Sequence, residues 1–174
     1  MKIKKCFLGL TLMIFVILTI GITPLLAING KANLATLRGL KGVGVIIENL
    51  PSEVEKAGLL KNQLQVEVEF KLRSAGIKVL TREECAKTPG EPYLYININI
   101  NTSKTESNLY PYTVDAMLIQ KVMLVRDPDN VSYAVTWSIG GVGSVDKSIL
   151  SNLRANVEEV VDKFINAFLS ENQR

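Results

Sequence analysis

The sequence contains one side-chain spacing that is used in acyl transfer, the run Ser144-Val-Asp-Lys147. In the Ser-x-x-Lys motif of penicillin-recognising enzymes, the serine is the nucleophile. The Ser-Asp-Asn and Lys-Thr-Gly elements that accompany this motif are absent, and the chain of 174 residues is too short for that fold. There is also no histidine, which excludes Ser-His-Asp and Cys-His catalysis. The sequence therefore predicts no catalytic residue and no enzyme.

Cys85 is the single cysteine after the first 28 residues, so this part of the chain cannot form an internal disulfide. Glu83 and Glu84 precede Cys85, and nearby carboxylates disfavour the thiolate that nucleophilic chemistry requires. We therefore interpret Cys85 as a buried or incidental thiol. Pairing with a cysteine of a second chain outside the cell stays open.

Asp127 and Asp129 flank a proline and precede Asn130, and the oxygens of these side chains are of the kind that binds calcium. A calcium loop needs more ligands at fixed spacing, so we interpret the segment as a solvated turn. Gly140-Gly-Val-Gly143 lacks the spacing of a nucleotide-binding loop and is interpreted as a turn between the last strand and the last helix. The sequence thus predicts no metal and no cofactor.

Two strands predict a surface that suits recognition rather than catalysis. Apolar and polar side chains alternate in Tyr93–Asn101 and again in Val131–Ile139, which is typical of strands with one face on the core and one in water. Tyrosine and asparagine make adaptable hydrogen-bonding surfaces, so we interpret the wet face as a site for a partner or for self-association. An ordinary hydrated face is the alternative. The residues assigned to it are Tyr93, Tyr95, Asn97, Asn99, Thr136 and Ser138.

The remaining patterns supply the elements that position this surface. The predicted strands are Gly42–Asn49, Ile77–Leu80, Tyr93–Asn101, Tyr112–Val125 and Val131–Ile139, with turns at Thr88–Pro92 and Arg126–Asn130. The predicted helices are Leu60–Ala75, preceded by a capping-box spacing at Ser52–Glu55, and a closing amphipathic helix that extends to Phe168. This order predicts an α/β fold of the α+β kind. We expect a two-layer sandwich in which two main helices cover one face of a mixed sheet of about five strands, preceded by an N-terminal apolar helix.

The start of the sequence has the pattern of an export segment. Residues 1–5 include three lysines and no acid, and no charged residue follows from Cys6 to Ile28. This pattern is typical of a signal peptide, with cleavage after Ala27, or of an N-terminal membrane anchor. The positive-inside rule places the rest of the chain outside the cytoplasm in both cases, periplasmic or extracellular.

Three parts of the chain follow from these patterns. Residues 1–28 are the signal peptide or anchor, residues 29–40 a linker, and residues 41–174 a single extracytoplasmic α/β domain. Removing the three lysines of the first part from the 20 basic residues leaves 17, equal to the 17 acidic residues. The chain after residue 28 is thus formally neutral and has no basic cluster, which predicts no nucleic-acid partner.

A family resemblance rests on the strand at residues 42–50, the helix at residues 60–75, the step Gly76-Ile-Lys-Val-Leu80 and the strand Pro92–Asn97. These segments resemble short exported bacterial proteins of unknown function. Their order is similar to the amino-terminal domain of TolB, the curli secretion protein CsgG and the peptidoglycan-synthase activator LpoB. Proteins of that group mostly bind other proteins or assemble in the envelope, so the resemblance implies an interaction module. It carries over no site residue.

We therefore expect a non-catalytic, exported or membrane-anchored interaction module of the envelope. Its partner is expected to be another envelope protein or a second copy of the chain, with membrane contact through residues 6–28 where that segment is retained. The alternative is a small exported hydrolase that uses paired carboxylates, because such pairs are set in space and not along the chain.

Overall fold

The computed structural model describes residues 30–101, 109–146 and 152–172. The predicted export segment, the predicted N-terminal apolar helix, the cleavage position after Ala27 and Lys147 of the Ser-x-x-Lys spacing lie outside the described residues. Among the helices of these three ranges, none has the length and apolar character needed to cross a membrane.

The described chain has an α+β fold built on one mixed sheet. Its strands are β1 (Gly44–Ile47), β2 (Tyr93–Ile100), β3 (Leu109–Leu124) and β4 (Asp127–Asp146), which lie in the order β1-β2-β3-β4. β1 and β2 are parallel, and the other two pairs are antiparallel. The helices of the described ranges are α1 (Lys31–Ala35), α2 (Ser52–Lys56), α3 (Lys61–Ser74), α4 (Arg82–Lys87) and α5 (Leu153–Asn172).

The core lies between one face of the sheet and the two long helices, α3 and α5. Alternate residues of β2 are buried there, because successive side chains of a strand point to opposite faces. α3 packs against β1, and α5 packs against β3 and β4. Trp137 of β4 meets Phe164 of α5 edge to face, with ring centroids 5.3 Å apart. The predicted arrangement of two main helices over one face of a mixed sheet is thus found.

The sheet has four strands rather than about five, because the predicted strand at Ile77–Leu80 is wrong. Only Val79 pairs there, in an isolated parallel bridge with Val43. The physical reason is the shortness of the segment. Gly76, at φ +80°, ends the preceding helix, and Thr81 already caps the next one, so few residues are left to form a ladder.

The helix starts between β1 and β2 also differ from the prediction. Ser52 does not form the expected capping box, since α2 begins after Pro51 without a side-chain cap. The capping box lies instead at Thr81 and Glu84, where each side chain accepts a hydrogen bond from the other residue's backbone N–H. The predicted helix at Leu60–Ala75 corresponds to α3 and is confirmed.

Residues 30–40 are packed against the domain, which differs from the linker prediction. Leu37 is fully buried in the core, and its carbonyl accepts a hydrogen bond of 2.9 Å from Asn172 Nδ2 of α5. Arg38 forms an ion pair of 2.7 Å with Glu171 beside it. Leu34 and Leu40 of the same segment also pack against the core, so its leucines attach it to the domain.

β4 is longer at both ends than the predicted strand. The turn is reduced to Val125 and Arg126, and β4 begins at Asp127, with a register shift between Met123 and Leu124. At the other end the run Gly140–Gly143 continues the strand instead of ending it.

The glycines of this run make room for side chains of β3. A Cβ atom at Gly143 would lie 2.6 Å from Tyr112 Oη and 2.8 Å from its Cζ, while Asp115 occupies the space above Gly140. Tyr112 is held in place by a hydrogen bond of 2.9 Å from Asn156 of α5. The absent glycine side chains are thus replaced by those of the neighbouring strand.

We expect Gly143→Ala to lower the free energy of unfolding by about 1–2 kcal/mol, because the added methyl group must displace the Tyr112 ring. The matched control is Gly141→Ala, since nothing lies within 4 Å of a Cβ atom at that position. This second variant should leave the free energy unchanged or raise it by about 0.5 kcal/mol. Urea unfolding of both variants tests the difference, and equal effects would contradict it.

Candidate interaction face

The sheet surface opposite α3 and α5 carries most of the side chains that the sequence assigned to recognition. We call it the open face. Its rows follow from the register between β2 and β3, which pairs Tyr93 with Ile119, Tyr95 with Met117, Asn97 with Asp115 and Asn99 with Thr113. β4 adds Val135, Ser138 and Gly140 to the first three of these rows. Tyr93, Tyr95, Asn97, Asn99 and Ser138 are therefore brought together as expected.

Thr136 is not part of the open face. The register shifts between Leu118 and Ile119, which leaves Thr136 as an extra residue in β4, a β-bulge. Its hydroxyl accepts a hydrogen bond of 2.7 Å from Gln120, and its carbonyl accepts one of 3.3 Å from Thr36. These contacts lie on the side of the sheet that the helices cover. Simple alternation places Thr136 beside Ser138, and it fails because a bulge reverses the phase of a strand.

The open face is more apolar than the sequence pattern suggested. Several large apolar side chains on it are exposed to water by about half: Met123 (68%), Tyr133 (50%), Val135 (49%), Val131 (47%) and Ile46 (44%). Four of the five lie toward the hairpin turn, whereas Ile46 lies beside Tyr95. Asparagine, threonine and aspartate side chains prevail at the other end, which also contains Val142 beside Thr113. We call the end near the turn the apolar half and the other end the polar half.

The contribution of β3 to this face was missed because both of its sides are apolar in the central stretch. Val114, Ala116 and Leu118 are buried against the helices, while Met117 and Ile119 alternate with them on the open side. Alternation between polar and apolar residue types, which reveals the faces of β2, is absent here. A signal was available in the strand period itself, since every second residue must share a face.

A polar cluster closes the apolar half at one edge. Glu91 precedes β2 with φ +42°, and its carboxylate accepts hydrogen bonds from the Tyr133 hydroxyl and from Lys121 Nζ, the latter at 2.9 Å. The Tyr133 ring is tilted against that of Tyr93, with centroids 6.2 Å apart. A positive φ at a non-glycine residue is costly and is retained only where its surroundings fix it. Here the two side-chain hydrogen bonds act together with one of 2.9 Å from the Glu91 backbone N–H to the Thr88 carbonyl.

The contacts within this cluster stabilise the charged forms of Glu91 and Lys121 and the neutral form of the Tyr133 hydroxyl, so they do not create a nucleophile. The hydrogen bonds from Tyr133 and Lys121 lower the pKa of Glu91 below its usual value. The same contact with Glu91 raises the pKa of the Tyr133 hydroxyl and that of the Lys121 ammonium group. At neutral pH the tyrosine therefore stays protonated and the lysine charged, so the cluster can donate hydrogen bonds and present paired charges.

Cys85 lies beneath the sheet edge, with its thiol donating to the carbonyl of Pro92 at 3.4 Å. Burial raises the pKa of this thiol, and the Glu84 and Glu91 carboxylates raise it further. Removal from water raises this pKa more than the neighbouring carboxylates, which were the cause expected from the sequence. The thiol is thus poorly suited to nucleophilic attack at neutral pH.

The other predicted polar positions lie apart from this cluster. Asp127, Asp129 and Asn130 are exposed at the start of β4, and Ser144 is exposed near its end. In the ranges that the structure describes, no group of three or more Cys, Asp or Glu side chains is arranged to hold a metal ion.

A groove of about 330 Å³ lies between α3 and α5, on the opposite side of the molecule from the open face. Leu64, Val68, Val157 and Val161 are among its lining residues, and it also includes two carboxylates, Glu67 and Glu158. Glu67 forms an ion pair with Arg154, and Arg154 also donates to Gln63 at 3.0 Å. One of the two acids of the groove is thus already neutralised by a neighbouring cation.

Comparison with known proteins adds no assignment: no protein-family model and no curated protein sequence matches the chain. The resemblance to the TolB, CsgG and LpoB domains stays a prediction.

We expect the contact between Glu91 and its donors to stabilise the fold above the ordinary carboxyl pKa, near 4.5. Because the folded state lowers the pKa of Glu91, this stabilisation is lost as the pH falls through that lowered value. Glu91→Gln should therefore reduce the melting temperature at pH 6, and the difference from wild type should shrink toward pH 3. Thermal unfolding monitored by circular dichroism measures both. Glu83→Gln, at an exposed carboxylate, is the control, and a difference that did not change with pH would contradict the account.

Proposed function

We propose that the protein is a non-catalytic, exported or membrane-anchored interaction module of the cell envelope and that it binds through the open face. The observation that carries this proposal is the apolar half of that face, where Tyr133 and Val135 are about half exposed and Met123 about two thirds. Burial of apolar surface is worth roughly 25 cal/mol per Å², so a partner that covers these side chains gains affinity. Soluble monomers rarely leave contiguous apolar patches uncovered unless the patch has a function.

The polar half of the face supplies hydrogen-bonding groups that would fix the orientation of a bound partner. Asn97, Asn99 and Thr113 offer amide and hydroxyl groups, and Asp115 offers a carboxylate, all on adjacent strands. Apolar side chains next to hydrogen-bonding groups are a usual composition of a protein-binding surface. Aromatic residues such as Tyr95 and Tyr133 suit such surfaces because they bury large area and keep a polar group in contact with water.

The proposed location rests on the apolar segment from Cys6 to Ile28 and on the lysines before it. A partner would then be another envelope protein or a second copy of the chain. The runner-up, a carboxylate-dependent hydrolase, would use Glu67 and Glu158 of the groove, and the ion pair between Glu67 and Arg154 disfavours that role.

We expect substitutions on the open face to reduce partner capture in the native envelope. Tyr95→Ala/Asn97→Ala removes an aromatic contact and an amide, and Val135→Lys places a charge in the apolar half. Both variants should lose most of the chemical cross-links that the wild-type chain forms in intact cells, detected by mass spectrometry.

The matched control for Val135→Lys is Val66→Lys, because Val66 is 67% exposed on α3, away from the open face. It should retain the cross-links. Melting temperatures close to wild type would show that the variants are folded. Unchanged capture by both open-face variants would refute binding through this face.

We also expect the protein to be recovered outside the cytoplasm. The intact mass from its native host, after separation of membrane and soluble exported fractions, identifies the form. A soluble species that begins at Ile28 indicates cleavage after Ala27, and a full-length species in the membrane fraction indicates an anchor. Recovery of the full-length chain in the cytoplasmic fraction alone would contradict export.

A further inference from the structure

The rows of the open face contain chemically complementary residues on the two central strands. Each row joins one residue from the β2 side to its neighbour on β3. Counted away from the hairpin turn, the rows are Glu91 and Lys121, Tyr93 and Ile119, Tyr95 and Met117, Asn97 and Asp115, and Asn99 and Thr113. Each row thus pairs opposite charges, an aromatic ring with an aliphatic side chain, or two groups that can hydrogen-bond.

We propose that the open face binds the open face of a second copy of this chain, related by a two-fold axis that runs parallel to the strands between β2 and β3. This inference rests on the proposed function and names its partner. Such an axis exchanges the two members of every row while keeping each row at its own end. Glu91 then faces Lys121 of the second copy, and Tyr95 faces Met117 of the second copy.

Charge complementarity favours this axis over one that runs across the strands. An axis across the strands at Met117 reverses the order of the rows, so Ile119 faces Asp115 of the second copy. That arrangement takes a carboxylate out of water against an aliphatic side chain, which is costly without a hydrogen-bonding partner. With the axis along the strands, Asp115 faces the Asn97 amide, which can donate to it.

The size of the face agrees with a reversible dimer. β3 of one copy faces β2 of the other from Thr113 to Lys121, because β2 begins at Tyr93 and only Glu91 extends its line to the Lys121 row. These rows are about 27 Å long and two strands span about 10 Å, so the central rows cover roughly 500 Å² in total, and contact between β1 and β4 adds to this area. An interface of this size is in the range of weak, reversible complexes. In an isologous dimer both copies use the same surface patch, so the open face is the only binding surface that this dimer needs. Glu91 and Lys121 cancel in charge, and the other carboxylate of these rows, Asp115, faces an amide and not a second carboxylate.

Cysteine cross-linking of the full-length chain in membranes or detergent tests the geometry. In a Cys6→Ser/Cys85→Ser background, single cysteines are introduced by Thr113→Cys and by Met123→Cys, at opposite ends of the face. Facing sheets lie about 10 Å apart, so a bismaleimide reagent of about that span should produce covalent dimers at both positions. With the axis across the strands, equivalent residues would be roughly 27 Å apart at Thr113 and roughly 41 Å apart at Met123.

Val66→Cys in the same background is the control and should remain monomeric, since Val66 lies on α3. Dimers at both face positions and none at Val66 support the inference. Absence of dimers at either face position, or an equal yield at Val66, overturns it.

Sedimentation equilibrium in density-matched detergent gives an independent readout with the full-length chain. Met117→Lys places two ammonium groups close to the axis and should raise the dimer dissociation constant at least about 10-fold, whereas Val66→Lys should leave it unchanged. An unchanged constant in folded Met117→Lys overturns the second-copy inference. If the open-face variants still lose cross-links to a different envelope protein, the proposed function stands while this inference fails.

Discussion

The bulge at Thr136 is the constraint on which the two faces of the sheet depend. Side chains of a strand alternate with a period of two, so a shift by one residue exchanges the buried and exposed sets. On the turn side of the bulge, Val135 pairs with Ile119, and on the other side Trp137 pairs with Leu118. Without the extra residue, Trp137 would point to the open face and lose its contact with Phe164. The largest core side chain is therefore buried because one residue of β4 is left out of the ladder.

The same bulge allows one surface to include residues from both halves of the hairpin. Val131, Tyr133 and Val135 precede it and Ser138 follows it, yet all four lie on the open face. Gln120 and Thr36 hold the extra residue by hydrogen bonds to its hydroxyl and its carbonyl. The short segment around α1 thus supports the geometry of the sheet as well as covering the core through Leu37.

The elements that alternation or helical periodicity marks clearly could be predicted from the sequence. β2 and α3 are of this kind, because residue type follows burial along them. Predictions failed where a neighbouring element decides the outcome. Gly140–Gly143 reads as a break, yet it remains in the strand because side chains of β3 fill the space above two of its glycines. Ile77–Leu80 has a strand composition, but capped helices on both sides leave it a single bridge.

The candidate site was predictable to the same extent. Tyr93, Tyr95, Asn97, Asn99 and Ser138 share the face that their alternation indicated, and Thr136 does not, since a bulge has no signature in residue type. The apolar half was hidden because β3 carries apolar residues on both sides. Glu91 was missed because its position depends on a hydrogen bond from a residue 42 positions away in the sequence.

β4 is the outermost strand of the sheet, and from Asn130 to Val145 it contains no charged side chain. A long uncharged edge offers backbone donors and acceptors to strands of other chains and is a common starting point of aggregation. The Thr136 bulge interrupts this edge near its middle, and the Thr36 hydroxyl donates a hydrogen bond to the Thr136 carbonyl there. The irregularity that turns Trp137 toward the core therefore also divides the edge into two shorter segments, which protects the folded chain against strand addition.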